Sequence, residues 1–97
     1  MLTQNEKKQL KALASQQTVK YQVGKNDISP TLLDMLDKAL TARELIKVDV
    51  LRGASEPVME LALDLSSNLN ADIVQVVGKV IVLYRKNKEN PKIKLKK

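Results

Sequence analysis

Apolar residues recur along this chain first at helical spacing and then in alternation, and the two periods exchange several times. From Thr3 to Gln16, Leu10, Leu13 and Ala14 fall on one stripe while Lys7, Lys8 and Lys11 keep to wet faces, which predicts a helix. Thr3 and Glu6 have the spacing of a capping box, in which each side chain meets the other residue's backbone N–H. Thr18 to Val23 alternates, with Val19, Tyr21 and Val23 facing one way and Lys20 and Gln22 the other. A strand is expected there, ended by Gly24. A second helix starts sharply, because Ser29 is a good N-cap and Pro30 suits the first helical position, where its missing N–H costs nothing. Ile28 can pack on Leu33 as a hydrophobic staple, and Leu32, Leu36, Ala39 and Leu40 continue the apolar face.

The second strand is expected from about Glu44 to Leu51, with Ile46, Val48 and Val50 on one face and Lys47 and Asp49 on the other. After the loop RGASEP, Ser55 or Glu56 caps a third helix, with Pro57 in its first turn and Val58, Leu61, Ala62, Leu65 and Leu69 as its stripe. Asn70 suits a left-handed C-terminal position. Two β-branched runs then flank Gly78-Lys79, the signal of a type II′ hairpin. The order is α-β-α-β-α-β-β. Strands joined through helices should be parallel and the closing hairpin adds one antiparallel strand, so the fold class is α/β, of the α+β two-layer kind, with a mixed four-stranded sheet. Residues 1–86 make one domain, and 87–97, with little to bury, are expected to form a basic, flexible tail.

Composition narrows the chemistry. At 97 residues the chain suits a single domain with an aliphatic core, since Phe and Trp are absent and Tyr21 and Tyr84 are its two aromatics. It has neither cysteine nor histidine, which removes thiol nucleophiles, disulfides, the commonest metal ligand and the usual proton carrier near neutral pH. Asp34 and Asp37 stand one helical turn apart but read as a solvated pair, and there is no phosphate-loop or metal-ligand pattern. The expectation is a non-enzyme without cofactor, metal or small-molecule substrate. The first segment is polar where a secretory signal would be apolar, and the longest apolar run, Val80 to Tyr84, is far too short to span a bilayer. A cytoplasmic protein with no membrane partner is expected.

The net charge of +6 is unevenly distributed. Residues 1–25 hold five lysines against one glutamate, residues 26–72 four basic against nine acidic side chains, and residues 73–97 eight basic against one acidic. If the two ends of the chain lie side by side, they form a basic face with an acidic reverse, which suits and orients a polyanion. The plainer alternative is that these charges are simply solvated.

Two segments carry a family resemblance, ARELIKVDV (Ala42 to Val50) and VQVVGKVIVLYRK (Val74 to Lys86). Together with LTQNEKKQLKALA near the start, they make the chain similar to the CRM domain family, named for chloroplast RNA splicing and ribosome maturation, and within it to the stand-alone bacterial YhbY-type proteins. The resemblance covers essentially the whole chain. It implies a fold like the C-terminal domain of translation initiation factor three with sheet order 1-2-4-3, RNA binding, and association with ribosomal RNA of large-subunit precursors. It also implies a GxxG loop between the first strand and the next helix, which falls on Gly24, Lys25, Asn26 and Asp27. The first glycine matches and the last is replaced by Asp27.

The residues themselves leave that loop open between two uses. Free backbone N–H groups at the start of the second helix favour an anion, Gly24 lets a phosphate come close, and Lys25 adds a charged donor. An ordinary strand-to-helix turn needs none of this. Asp27 tolerates left-handed geometry, so the loop's shape can survive, but its charge opposes a nearby phosphate. Lys7, Lys8, Lys11, Lys79, Arg85, Lys86 and Lys88 are each plausible solvated residues taken singly; taken together they make a candidate surface for phosphates. With no aromatic platform, binding should rest on phosphate, sugar and shape, with little base readout and a steep salt dependence. The leading expectation is an RNA-binding protein of ribosome assembly. The alternative is a protein–protein adaptor that reaches pre-ribosomal particles through ribosomal proteins or assembly factors, and a duplex-DNA reader ranks last for want of a basic, amide-rich recognition helix.

Overall fold

The computed structural model describes residues 3–16, 21–23, 28–51, 57–87, 89 and 93. Its elements are α1 (Gln4–Ser15), β1 (Tyr21–Val23), α2 (Pro30–Arg43), β2 (Leu45–Val50), α3 (Val58–Leu69), β3 (Asp72–Val77) and β4 (Val80–Tyr84). The strands form one sheet in the order β1-β2-β4-β3. β1 runs parallel to β2, pairing Tyr21 with Val48 and Val23 with Val50, and β4 runs antiparallel to both β2 and β3. The three strands that follow helices therefore point one way, and β4 alone reverses, as a closing hairpin requires.

The local signals act where the sequence placed them. Thr3 N–H donates to Glu6 Oε1 at 3.0 Å and Glu6 N–H to Thr3 Oγ1 at 3.1 Å, a complete capping box. Ser29 Oγ accepts the Leu32 N–H at 3.1 Å, with Pro30 next in the chain. Asn70 closes α3 with φ 54° and ψ 45°, its N–H donating to Ser66. Gly78 takes φ +57° in a two-residue turn between Val77 and Val80. A side chain there would meet nothing within 4 Å, so the turn needs glycine for its dihedral angle and not for space.

Two boundaries differ. Glu44 does not begin the second strand; it ends α2, at φ 64° and ψ −37°. α3 begins at Val58 with Pro57 at its N-cap position, while the proposed caps Ser55 and Glu56 lie outside the described residues.

Two cores lie on opposite faces of the sheet. On one face Ile46, Val48, Val50, Ile81 and Leu83 pack with Leu32, Leu36, Leu40, Leu61, Ala62 and Leu65 of α2 and α3. On the other, Leu10 and Ala14 of α1 cover Leu45, Val74, Val82 and Tyr84. The two-layer description thus holds for α2 and α3 on the sheet, and α1 adds cover on the reverse. Leu13, placed in the buried stripe of α1 by its spacing, is 40% exposed, because a single helix on an open sheet buries a narrow stripe. Alternation along β2 and β4 feeds both cores at once.

The chain after β4 is held in place at two described points. Glu44 is fully buried, and its carboxylate accepts the Asn87 N–H at 2.7 Å and the Ile93 N–H at 2.6 Å. Ile93 packs against the second core. These contacts fall within the segment expected to be a flexible tail.

Tyr84 lies beside this carboxylate. Burial, and then the negative charges of Glu44, Glu6 and Asp72, raise its phenol above the ordinary value near 10. A raised folded value means that the unfolded chain loses the proton first. The stabilisation is complete below about pH 10 and falls as pH climbs through the folded value. Tyr84→Phe should therefore flatten part of the alkaline loss of stability, measured as denaturant midpoints between about pH 9 and 11.5. An unchanged alkaline slope in that variant would mean that other groups carry it.

Candidate nucleic-acid interface

One end of the domain gathers several chain turns. The Val50 N–H donates to the Lys79 carbonyl at 2.7 Å, and the Leu51 N–H to the Val23 carbonyl at 2.8 Å. Two consecutive residues at the exit of β2 thus hold the hairpin tip on one side and the end of β1 on the other. Residues 24–27 leave from Val23 and rejoin the described chain at Ile28, so both anchors of that segment are fixed. Gly24, Lys25, Asn26 and Asp27 themselves lie outside the described residues, as does Lys88.

α2 and α3 also start at this end. Their last turns are held at the opposite end by Arg85, which follows β4. Its guanidinium donates to Asp37 Oδ1 at 2.7 Å, to the Leu69 carbonyl at 2.9 Å, and to the Asp37 carbonyl and Thr41 Oγ1 at 2.9 Å each.

The two helix starts differ in what they can offer an anion. In α2, Pro30 has no N–H and Ser29 takes that of Leu32, so Thr31 is the first-turn residue whose N–H has no partner among the described residues. At the start of α3, Pro57 has no capping side chain and the N–H groups of Val58, Met59 and Glu60 have no partner among the described residues, with the Glu60 carboxylate in the same turn.

The described cations of the candidate surface fall into three places. Lys79 is exposed at the hairpin tip, beside the anchors of 24–27. Lys8 and Lys11 are exposed on α1, and Lys7 is half-buried there, on the sheet face opposite α2 and α3. Arg85 and Lys86 follow β4 at its other end, six and seven residues from Lys79 and roughly 20 Å away along an extended strand. The N-terminal helix and Ile93 meet on one face, whereas Asp34, Asp37, Glu60 and Asp64 belong to the helices on the other; Lys88, Lys92, Lys94, Lys96 and Lys97, which the expected basic face needs, lie outside the described residues. Tyr21 packs against the first core and Tyr84 belongs to the second, so neither provides a stacking platform.

The family model for the CRS1 / YhbY (CRM) domain matches residues 2–85. The chain belongs to the CRM domain family. This CRM domain is 39% identical over 95 residues to "Probable RNA-binding protein YqeI" of Bacillus subtilis, covering 98% of the chain and 99% of the relative. It is 34% identical over 86 residues to "Probable RNA-binding protein PA4753" of Pseudomonas aeruginosa, covering 89% of the chain and 83% of the relative. Its fold matches the solution structure of the Staphylococcus aureus protein SAV1595 with a TM-score of 0.81 and 41% identity, over 99% of this chain and 100% of the other.

Within the CRM domain, Arg85 is a structural tie. It joins β4 to the ends of two helices, satisfies the Leu69 carbonyl that α3 leaves open, and pairs with a carboxylate. Asp37 is 55% exposed, so the ion pair itself contributes modestly; the bonds to backbone carbonyls matter more. Arg85→Ala should lower stability by about 2 kcal/mol, and Arg85→Lys should recover less than half, since an ammonium cannot span these acceptors. Thermal unfolding checks both. Full recovery by lysine would show that charge, not the planar fork, makes the tie. Asp34, the other carboxylate of the α2 pair, meets Lys38 at 3.2 Å on an open surface. Among the described residues no group of acidic side chains could hold a metal ion, and no helix is long and apolar enough to cross a membrane.

Sequence reasoning missed three participants. Pro57 stands at the N-cap position of α3, whereas the sequence placed it in the first turn. Glu44 looked like the first residue of a strand. Lys47 looked like an ordinary polar-face residue of β2, yet it is half-buried and has no ion pair or hydrogen-bonding partner for its ammonium among the described residues.

Proposed function

We propose that this CRM domain binds RNA by holding backbone phosphates at the end of the sheet where the 24–27 segment, the hairpin tip and the start of α3 converge. The supporting observation is the pair of bonds from Val50 and Leu51, which sets Lys79 beside the anchors of the loop in a domain whose relatives are named RNA-binding proteins. Gly24, Lys25, Asn26 and Asp27 take the phosphate, Lys79 adds a charged donor, and Lys7, Lys8 and Lys11 extend the field along α1. Lys86, which follows Arg85, and Lys88 make a separate contact with the RNA. The RNA is ribosomal RNA of large-subunit precursors, and the role is a non-enzymatic one in ribosome maturation in the cytoplasm.

Crosslinking in cells followed by sequencing tests the target. Enrichment of large-subunit precursor RNA is expected; crosslinks confined to messenger RNA would remove the ribosomal role and leave RNA binding standing. Asp27→Gly should tighten binding to a structured RNA about two- to threefold by removing a charge that opposes phosphate. A clear loss of affinity in that variant would mean that Asp27 is needed by the loop.

A second reading has its own support. On α3, Met59 and Leu63 are 54% and 56% exposed, one turn apart and flanked by Glu60 and Asp64. An apolar pair within acidic surroundings suits a basic protein such as a ribosomal protein or assembly factor, which would make the domain an adaptor on the particle. Charge-preserving changes such as Met59→Gln with Leu63→Gln should then remove particle association and spare binding to naked RNA.

A further inference from the structure

α1 leaves part of its sheet face uncovered. Between the last turns of α1 and strands β2, β3 and β4 lies an open cleft of about 240 Å³. Ala14, Val77, Val80 and Val82 give it apolar walls, and Lys11, Ser15, Lys47 and Gln75 supply the polar groups. Lys47 is the unusual member. It sits mid-way along β2, opposite the buried Val82, on a face whose neighbours Leu45 and Tyr84 are core residues. Lys47 is half-buried there, its stem along the apolar floor, and its ammonium has no anion among the described residues. Asp49 shares its face two residues on but makes no ion pair with it, and Lys11 across the cleft has none among the described residues either. The Gln75 side chain makes no hydrogen bond among the described residues, so both its donor and its acceptor are open; Ser15 Oγ donates to the Ala12 carbonyl and keeps its lone pairs.

Two cations over an apolar floor, with one open amide between them, select an occupant that is flat, uncharged on its faces, hydrogen-bonding at its edge and joined to an anion. We infer that this cleft takes a single unpaired nucleotide of RNA, its base against Val77, Val80 and Val82, its edge on the Gln75 amide, and its phosphates on Lys11 and Lys47. Aliphatic side chains replace the aromatic platform that the chain lacks, and an amide can pair with a base through both groups. The volume lies below the ~300–1,000 Å³ of sites for drug-sized ligands, which limits the occupant to one nucleoside. The inference rests on the RNA-binding proposal and adds to it a base-contacting site on the α1 face of the sheet, which starts at Val77 and Val80 beside the Lys79 turn. It also revises the expectation of little base readout.

Titration of the full chain with the four nucleoside 5′-monophosphates, followed by NMR, tests it. The Gln75 side-chain amide and the Val77 and Val80 methyls should shift, with millimolar affinity, while ribose 5-phosphate and polyglutamate leave the Gln75 amide in place. Lys47→Met, which keeps the length of the stem, should weaken binding about tenfold, and Gln75→Glu should weaken it at least as much by setting a carboxylate at the base edge. Gln75 is partly exposed, so its replacement keeps the test open should Lys47→Met fail to fold. If structured RNA binds and shifts the Lys79 amide while mononucleotides leave the Gln75 side-chain amide unmoved, the cleft inference is wrong and RNA binding stands. If mononucleotides shift the cleft but structured RNA does not bind, the reverse holds. Equal shifts from polyglutamate would show a mere attraction of anions and overturn the inference.

Discussion

Glu44→Ala should lower the thermal midpoint by about 12–24 °C, corresponding to ~3 kcal/mol for a domain of this size. The carboxylate is fully buried and accepts two backbone N–H groups, from Asn87 and Ile93. Alanine deletes both acceptors and leaves two donors to find others, and it removes the anchor that presses Ile93 onto the second core. The backbone at Glu44, with φ 64°, is strained for any L-residue. Glu44→Gly should therefore lose the same bonds but recover on the order of 1 kcal/mol of strain, and so melt above Glu44→Ala. Glu44→Gln keeps one acceptor oxygen and should fall between wild type and alanine. A chain ending at Lys86 should make Glu44→Ala far less costly, because the donors are gone already. If Glu44→Ala unfolds within about 1 kcal/mol of wild type, the carboxylate does not organise the segment after β4.

The second large effect concerns RNA. Gly24→Asp, Lys25→Ala and Lys79→Ala combined should weaken binding to structured RNA by ~2–3 kcal/mol, about 30- to 150-fold, because they remove two cations and set a carboxylate where a phosphate must approach. Each lost lysine should also take about one from the slope of log K against log salt. Lys86→Ala, at the far end of β4, should cost much less. Since Lys79 is exposed and its backbone carbonyl makes the fold contact, Lys79→Ala should not change stability. An unchanged melting temperature would then separate lost contacts from lost fold.

How much of this the sequence could tell depended on how far each signal reaches. Thr3 with Glu6, Ser29 with Pro30, Asn70 and Gly78 act within four residues, so their roles could be read directly. Leu13 was misplaced because spacing gives the direction of a helix face but not the width of what covers it. Arg85 read as a free cation because its partners lie 16 and 44 to 48 residues away in the chain. Glu44 and Leu45 are out of phase with the alternation of Ile46 to Val50, but nothing local says that the break is a left-handed turn before the strand. The strand order came from the family resemblance, since alternation alone assigns faces and not neighbours. Lys47 could be placed on a face, but only the position of α1 turns that face into a cleft.

Whether the Lys79 end of the sheet holds RNA backbone is decided by the binding of purified large-subunit ribosomal RNA fragments across a salt series, for wild type and the Gly24→Asp, Lys25→Ala, Lys79→Ala chain. Wild type should show a steep salt dependence, and the variant an affinity lower by about 30-fold or more with a slope reduced by about two. RNA that binds no better than a neutral polymer, or a variant that keeps both affinity and slope, would mean that this end of the sheet does not hold RNA.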